Sequence, residues 1–173
     1  MKGIILIVVL IIIILVILIT FTKNKTPVYK KLLKLAVKKR GRLRTDDLHS
    51  AGDIKESKKI LDRMYKDGAL TLNVCDNSNI EYIFSSVPFK YDPVQIFNLN
   101  DFFENLQLMA SEDEDGQIFL SEIIFAFDMD YDDIICGLET FYGDERLKKE
   151  ISRSGNVYLM FEKNRMDKTN GSW

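Results

Sequence analysis

Hydrophobic and polar positions divide the chain into one continuous apolar run and two stretches of matching periodicity. Residues 4–21 contain no charged side chain, and Thr20 is their one polar residue. As a helix this run would span roughly 27 Å, close to the hydrocarbon thickness of a bilayer. A helix that is apolar all round has no face to give to water, so the pattern predicts a transmembrane segment. The rival reading is a cleaved signal peptide. The run is long for a signal-peptide core, and the following Thr22-Lys23-Asn24-Lys25-Thr26-Pro27 offers no small-x-small cleavage site.

Beyond the run, Val28, Leu32, Leu35 and Ala36 recur at helical spacing, which predicts an amphipathic helix over 27–39 with Pro27 at its start. Gly41-Arg42-Leu43-Arg44 reads as a short extended piece. Thr45 is placed to cap a short helix over 46–51, and Gly52-Asp53 turns the chain. A third helix is predicted over 55–66, with Ile60, Leu61 and Met64 inward and Asp67-Gly68 at its end. Leu70, Leu72 and Val74 alternate as a strand, 76–79 turns, and 80–84 returns as a second strand.

The second half follows the same order. Phe102, Phe103, Leu106 and Met109 mark a helix, and 116–119 is extended. Ser121 is placed to cap a short helix through Ala126, 128–130 turns, and 131–142 is a helix with Ile134, Ile135 and Leu138 apolar. A hairpin follows, with strands over 146–151 and 157–161. Gly41 aligns with Gly116, Leu43 with Ile118, Leu48 with Ile123, Ala51 with Ala126 and Ile60 with Ile135, a constant shift of 75 residues. Helix, short strand, helix, turn, helix and hairpin is a layout that resembles the winged-helix family. Gly41–Leu48, a Gly-x-Leu-x-x-x-Asp-Leu stretch, is the sharpest part of the likeness. The expected fold class is α+β: a transmembrane helix at 4–21 after a short external 1–3, a linker at 22–26, and a basic winged-helix-like module at 27–85. A second linker at 86–98, an acidic module at 99–163 and a tail at 164–173 complete the organisation. The resemblance implies binding, to protein or to nucleic acid, rather than chemistry.

Charge sharpens this division. Residues 1–90 carry 17 Lys and Arg against 8 Asp and Glu, whereas 91–173 carry 7 against 18. Such asymmetry suggests modules with different partners, or modules that attract each other. Between the apolar run and Asp46, ten basic residues and no acid occur. By the positive-inside rule this places the C-terminal domain in the cytoplasm and the N-terminus outside, and it makes anionic headgroups a candidate contact. Cys75 and Cys136 belong to no paired motif, which fits free thiols in a reducing compartment.

Three candidate sites follow. Lys55, Lys58, Lys59, Arg63 and Lys66 on the third helix, with Lys38, Lys39 and Arg40, could neutralise nucleic-acid or lipid phosphates. Asp130, Tyr131, Asp132, Asp133 and Glu139, with Phe141 nearby, form a candidate acidic face for a basic protein partner or for the basic module itself. The linker 87–91 is a possible self-association segment, in which Phe89 is expected to pack between the modules. A poorer match is the calcium-loop pattern at 111–122, with Asp113, Asp115 and Glu122 at ligand positions; Ser111 and Phe119 depart from it, so no metal is expected. His49 is the one histidine, and no phosphate loop, metal-spaced cluster or nucleophile motif is present, so no enzyme and no cofactor are expected. The leading reading is a membrane-anchored adaptor for a protein partner, and the alternative is a membrane-tethered DNA-binding regulator.

Overall fold

A computed structural model describes residues 27–75, 80–142 and 147–161. The expected anchor at 4–21, the linker at 22–26, the turn at 76–79 and the tail at 164–173 lie outside the described residues. Among the described residues no helix is long and apolar enough to cross a membrane. The fold is α+β. Its first half runs α1 (Val28–Lys38), β1 (Arg42–Arg44), a 3₁₀ turn numbered α2 with the helices (Thr45–Ser50), α3 (Ile54–Lys66), β2 (Leu70–Val74) and β3 (Ile80–Phe84). Its second half runs α4 (Leu99–Glu112), β4 (Gln117–Phe119), α5 (Leu120–Ala126), α6 (Tyr131–Tyr142), β5 (Leu147–Ile151) and β6 (Val157–Phe161).

Local chemistry sets the helix ends. The Asp53 side chain accepts the Glu56 N–H at 3.0 Å, and the Asn98 side chain accepts that of Asp101 at 3.0 Å, each relieving an orphan donor of a first turn. At the end of α3, Gly68 takes φ +77°. There Gly68 N–H donates to Tyr65 O at 3.0 Å and Ala69 N–H to Met64 O at 2.8 Å, the paired bonds of a left-handed helix stop. α1 ends with the same two bonds, Arg40 N–H to Val37 O and Gly41 N–H to Ala36 O, but with an arginine in the left-handed position at φ 53°.

The caps expected at Thr45 and Ser121 are not formed. Instead, Asp47 accepts the Arg44 N–H and Glu122 accepts the Phe119 N–H, each at 2.9 Å. A carboxylate reaching back from the first turn neutralises the helix start better than a hydroxyl, and it frees the hydroxyls for longer-range bonds. Thr45 Oγ1 bonds to Ile80 O at 3.3 Å, and Ser121 Oγ accepts the Ser86 N–H at 3.3 Å.

Each half carries one antiparallel three-stranded sheet in which the last strand is central, β1-β3-β2 and β4-β6-β5. Leu43 pairs with Tyr82 and Ile118 with Leu159, all four buried, so the register puts equivalent positions under equivalent helices. Next to them, Arg44 faces Glu81 across one sheet and Phe119 faces Tyr158 across the other, an ion pair in one half and an aromatic pair (6.1 Å between rings) in the second.

The repeat is real, but its shift is not constant. Gly41 and Gly116, and the short helices after them, keep the 75-residue spacing. From the third helix onward the buried positions lie 77 apart: Leu61 matches Leu138, Met64 matches Phe141, Leu70 matches Leu147 and Phe84 matches Phe161. Ile60 and Ile135, paired by the sequence pattern, are therefore not equivalent. The two extra residues fall between α5 and α6. There Phe127 pairs with Val94 of the linker in a parallel bridge: Val94 N–H donates to Ala126 O at 2.7 Å, and Asp128 N–H donates to Val94 O at 2.8 Å.

The halves share one core. Phe84 meets Phe125 edge-on at 5.3 Å, and Val157 N–H donates to Gly68 O at 2.8 Å. A methyl group at Gly68 would lie 2.4 Å from Val157 Cγ2 and 3.1 Å from Val157 N. Gly155 has an equally left-handed φ of +87° but open space around it. Gly68→Ala is expected to cost about 2–4 kcal/mol, combining backbone strain with overpacking of the joint between halves, whereas Gly155→Ala costs about 1–2 kcal/mol from strain alone. Urea unfolding of the two variants, followed by circular dichroism, checks the difference; equal losses would mean the joint can yield.

Candidate functional site

The acidic and basic faces expected from the sequence meet each other. Asp132, at the start of α6, is hydrogen-bonded to the Arg63 guanidinium of α3, and Asp128 pairs with Lys30 of α1 at 2.5 Å. Between them Tyr131 is buried. Its hydroxyl donates to Asp67 Oδ2 at 2.7 Å, its ring lies 6.0 Å from that of Tyr29, and the Arg63 guanidinium sits 5.6 Å above it. Burial, and then the carboxylate of Asp67, push the Tyr131 hydroxyl far above its ordinary pKa, so it stays a donor. Arg63 in turn holds Asp132 below the ordinary carboxylate range, mainly through their hydrogen bond, with Lys59 adding to the effect.

This geometry corrects several expectations. Tyr131 is not available on a partner-binding face, because the start of α6 is turned into the joint between halves. Phe141 is not available either: it lies on the inward stripe with Ile134 and Leu138 and packs on Phe103, with ring centres 4.4 Å apart. Asp130, Asp133 and Glu139 do remain exposed, and they form no ion pair with any described residue.

The basic set is also divided. Arg63 is committed to Asp132, and Lys39 pairs with Asp47 at 2.6 Å, which lowers the Asp47 pKa. Lys38, Arg40, Lys55, Lys59 and Lys66 are exposed and Lys58 is half-buried, all without an ion pair to a described residue. Glu81, almost fully buried, lies between Arg42 (3.9 Å) and Arg44 (3.5 Å), so these two arginines serve the sheet.

The linker does not behave as expected. Phe89, placed between the modules by the sequence reading, is fully exposed, at 104 %, and stands outside the shared core. Val87 packs in its place: it is half-buried against the core, and its side chain closes over Gly41, where a methyl group would come within 2.8 Å of it. Tyr91 is half-buried beside Lys34, whose ammonium lies 6.0 Å from the ring centre, and burial raises the Tyr91 pKa to about 12.

The calcium pattern is used for turns. Asp113 Oδ1 accepts the N–H groups of Asp115 (2.9 Å) and Gln117 (3.0 Å), and Glu122 caps α5. Among the described residues, no group of three or more His, Cys, Asp or Glu side chains is arranged to hold a metal ion. His49 is exposed, and Cys75 and Cys136 are free thiols.

One feature was not read from the sequence. Ile96, Phe97, Leu99 and Met129 line a cavity of about 370 Å³ whose rim carries Lys30, Asp128, Asp130 and Asp133. Phe97 is 80 % exposed there, held at its backbone by Asp101 Oδ2, which accepts its N–H at 3.0 Å. Helical periodicity does not reveal it: Leu99 lies three residues before Phe102, in line with the buried stripe of α4, yet it is 43 % exposed. Comparison of the chain with family models, curated proteins and solved structures returned no match.

Asp47 and Asp132 both have folded-state pKa values below the ordinary 3.8. Their contribution to stability is therefore complete above that value and is lost as the pH falls through their lower folded values. Asp132→Asn is expected to flatten the acid limb of a melting-temperature profile below about pH 4, with a loss at neutral pH of only about 0.2–1 kcal/mol, because the pair is exposed. Thermal melts of wild type, Arg63→Ala, Asp132→Asn and the double variant test this; strictly additive losses would show that the pair does not couple the halves.

Proposed function

We propose that the chain is a membrane-anchored, non-enzymatic adaptor that presents two winged-helix-like modules to a protein partner in the cytoplasm. The layout supports this. Each half follows helix, strand, short helix, helix and hairpin, with the final strand between the other two. The observation that carries the partner reading is the acid-rimmed cavity. Phe97 and Leu99 expose apolar surface next to Asp130 and Asp133, whose carboxylates have no ion pair with a described residue. Exposed aromatic surface with a charged rim is the anatomy of a binding surface rather than of a solvated loop. The complementary ligand is a protein segment with a basic residue next to an apolar one.

The DNA-binding alternative rests on Lys55, Lys59 and Lys66, exposed along α3. It carries less weight because Arg63 of the same helix is held by Asp132, and Glu56 and Asp62 share the helix with these lysines.

Two measurements separate the readings. Asp130→Lys with Asp133→Lys is expected to weaken a partner recovered from membranes by tenfold or more in direct titration, about 1.4 kcal/mol or above, and Phe97→Ala to weaken it comparably. A partner that binds both variants as wild type does would remove the cavity from the argument. Titration of the reconstituted full chain with labelled duplex DNA across a salt series tests the alternative: micromolar binding that falls steeply with salt and is abolished by reversing Lys55, Lys59 and Lys66 would replace the adaptor reading.

A further inference from the structure

The outward face of α1 and the linker that runs beside it form a second, separate surface. Tyr29, Leu32, Leu33 and Ala36 turn α1 inward, which leaves Lys31, Lys34 and Lys38 exposed at spacings of three and four residues, a single stripe along the opposite face. The linker lies against that stripe. Tyr91 sits under Lys34, while Pro88 and Phe89 share with Lys38 and Arg40 the lining of an open groove. Neither Lys31, Lys38 nor Arg40 has an ion pair with a described residue, and the neighbouring Asp92 is taken by Lys90 at 3.0 Å. The result is positive charge around a phenylalanine with no protein cover.

We propose that this face docks on an anionic bilayer surface, with Phe89 entering the interface and Lys31, Lys34, Lys38 and Arg40 meeting lipid phosphates and carboxylates. Two arguments select a bilayer over other occupants. The first is charge: Lys31, Lys34, Lys38 and Arg40 face outward here, with the one neighbouring acid, Asp92, paired to Lys90, and a negative leaflet attracts each such basic residue near it. The second is chain length. Only residues 22–27 separate the apolar run from α1, and six residues span at most about 20 Å fully extended. If the run is inserted, the start of α1 is held within that distance of the headgroups, and the helix adds only about 16 Å to its far end, so a basic face with an uncovered aromatic side chain, the composition of an interfacial contact, stays close to the bilayer. Docking would fix the orientation of both halves on the membrane, because they share one core. The proposal rests on the anchored reading for its geometry.

The chain has one tryptophan, Trp173. Full-length protein carrying Phe89→Trp and Trp173→Phe, reconstituted into vesicles of phosphatidylcholine alone or mixed with phosphatidylserine, reports the position of residue 89 directly. In the anionic vesicles the indole is expected to emit at shorter wavelength and to be quenched by brominated lipid. In neutral vesicles, at high salt, or with Lys34→Glu, Lys38→Glu and Arg40→Glu added, it is expected to emit as in water, since each reversed residue should weaken surface attachment by about fivefold or more. Circular dichroism checks that the variants remain folded. Water-like emission in both kinds of vesicle overturns the proposal. So does shielding that is equal in neutral vesicles, anionic vesicles and detergent, which would indicate a protein contact at residue 89. Alkaline carbonate extraction of the same samples reports on the anchor separately. Release of the chain sinks the anchored reading, and retention with a water-exposed indole sinks only the docking.

Discussion

Tyr131 is the residue on which the arrangement of the two halves turns. A tyrosine buried at a joint is stabilised when its hydroxyl reaches an acceptor, and here the acceptor is Asp67, just beyond the end of α3 in the other half. That bond fixes the start of α6 against α1 and α3, and it brings Asp132 to Arg63 and Asp128 to Lys30. The exposed ion pairs contribute little by themselves. The buried ring contributes apolar area and direction together. The close approach at Gly68, where Val157 donates to the glycine carbonyl, works at the same joint and leaves no room for a side chain.

The opposite charges of the halves thus serve partly an internal purpose. They are spent where α6 meets α1 and α3, and what remains unspent is informative. On the acidic side it is Asp130, Asp133 and Glu139, two of them beside the apolar cavity at Phe97. On the basic side it is the lysine stripe of α1 with Arg40 and the outer residues of α3. In the proposed adaptor these surfaces divide the work: one toward a protein ligand, the other toward the membrane that the apolar run would enter.

The order of elements was legible because its causes are local. Helical and alternating periodicity, and glycines at left-handed turns such as Gly41, Gly68 and Gly116, are properties of neighbouring residues, and they place the elements to within a residue or two. The repeat was legible for the same reason, up to Ala51 and Ala126. Its slip to a 77-residue spacing was not, because the two extra residues are accommodated by a bridge to Val94, some thirty positions earlier in the chain. The helix caps depart from the local pattern for a related reason: Thr45 and Ser121 are good cap residues whose hydroxyls are claimed by Ile80 and Ser86, distant in sequence.

From sequence alone come the α+β class, the doubled order of helices and strands, the segregation of charge and the apolar run that motivates the anchored reading. Each depends on which residues stand next to which. Only the tertiary structure decided which charges face water and which face each other, that Tyr131 and Phe141 are buried, and that Phe89 is exposed while Val87 packs. Phe89 and Val87 are two positions apart in the same linker and both apolar; what separates them is the shape of the surface the linker crosses, with Val87 over the gap left by Gly41 and Phe89 beyond it. Burial depends on what the rest of the chain brings to a position, and a residue's own chemistry does not carry that information.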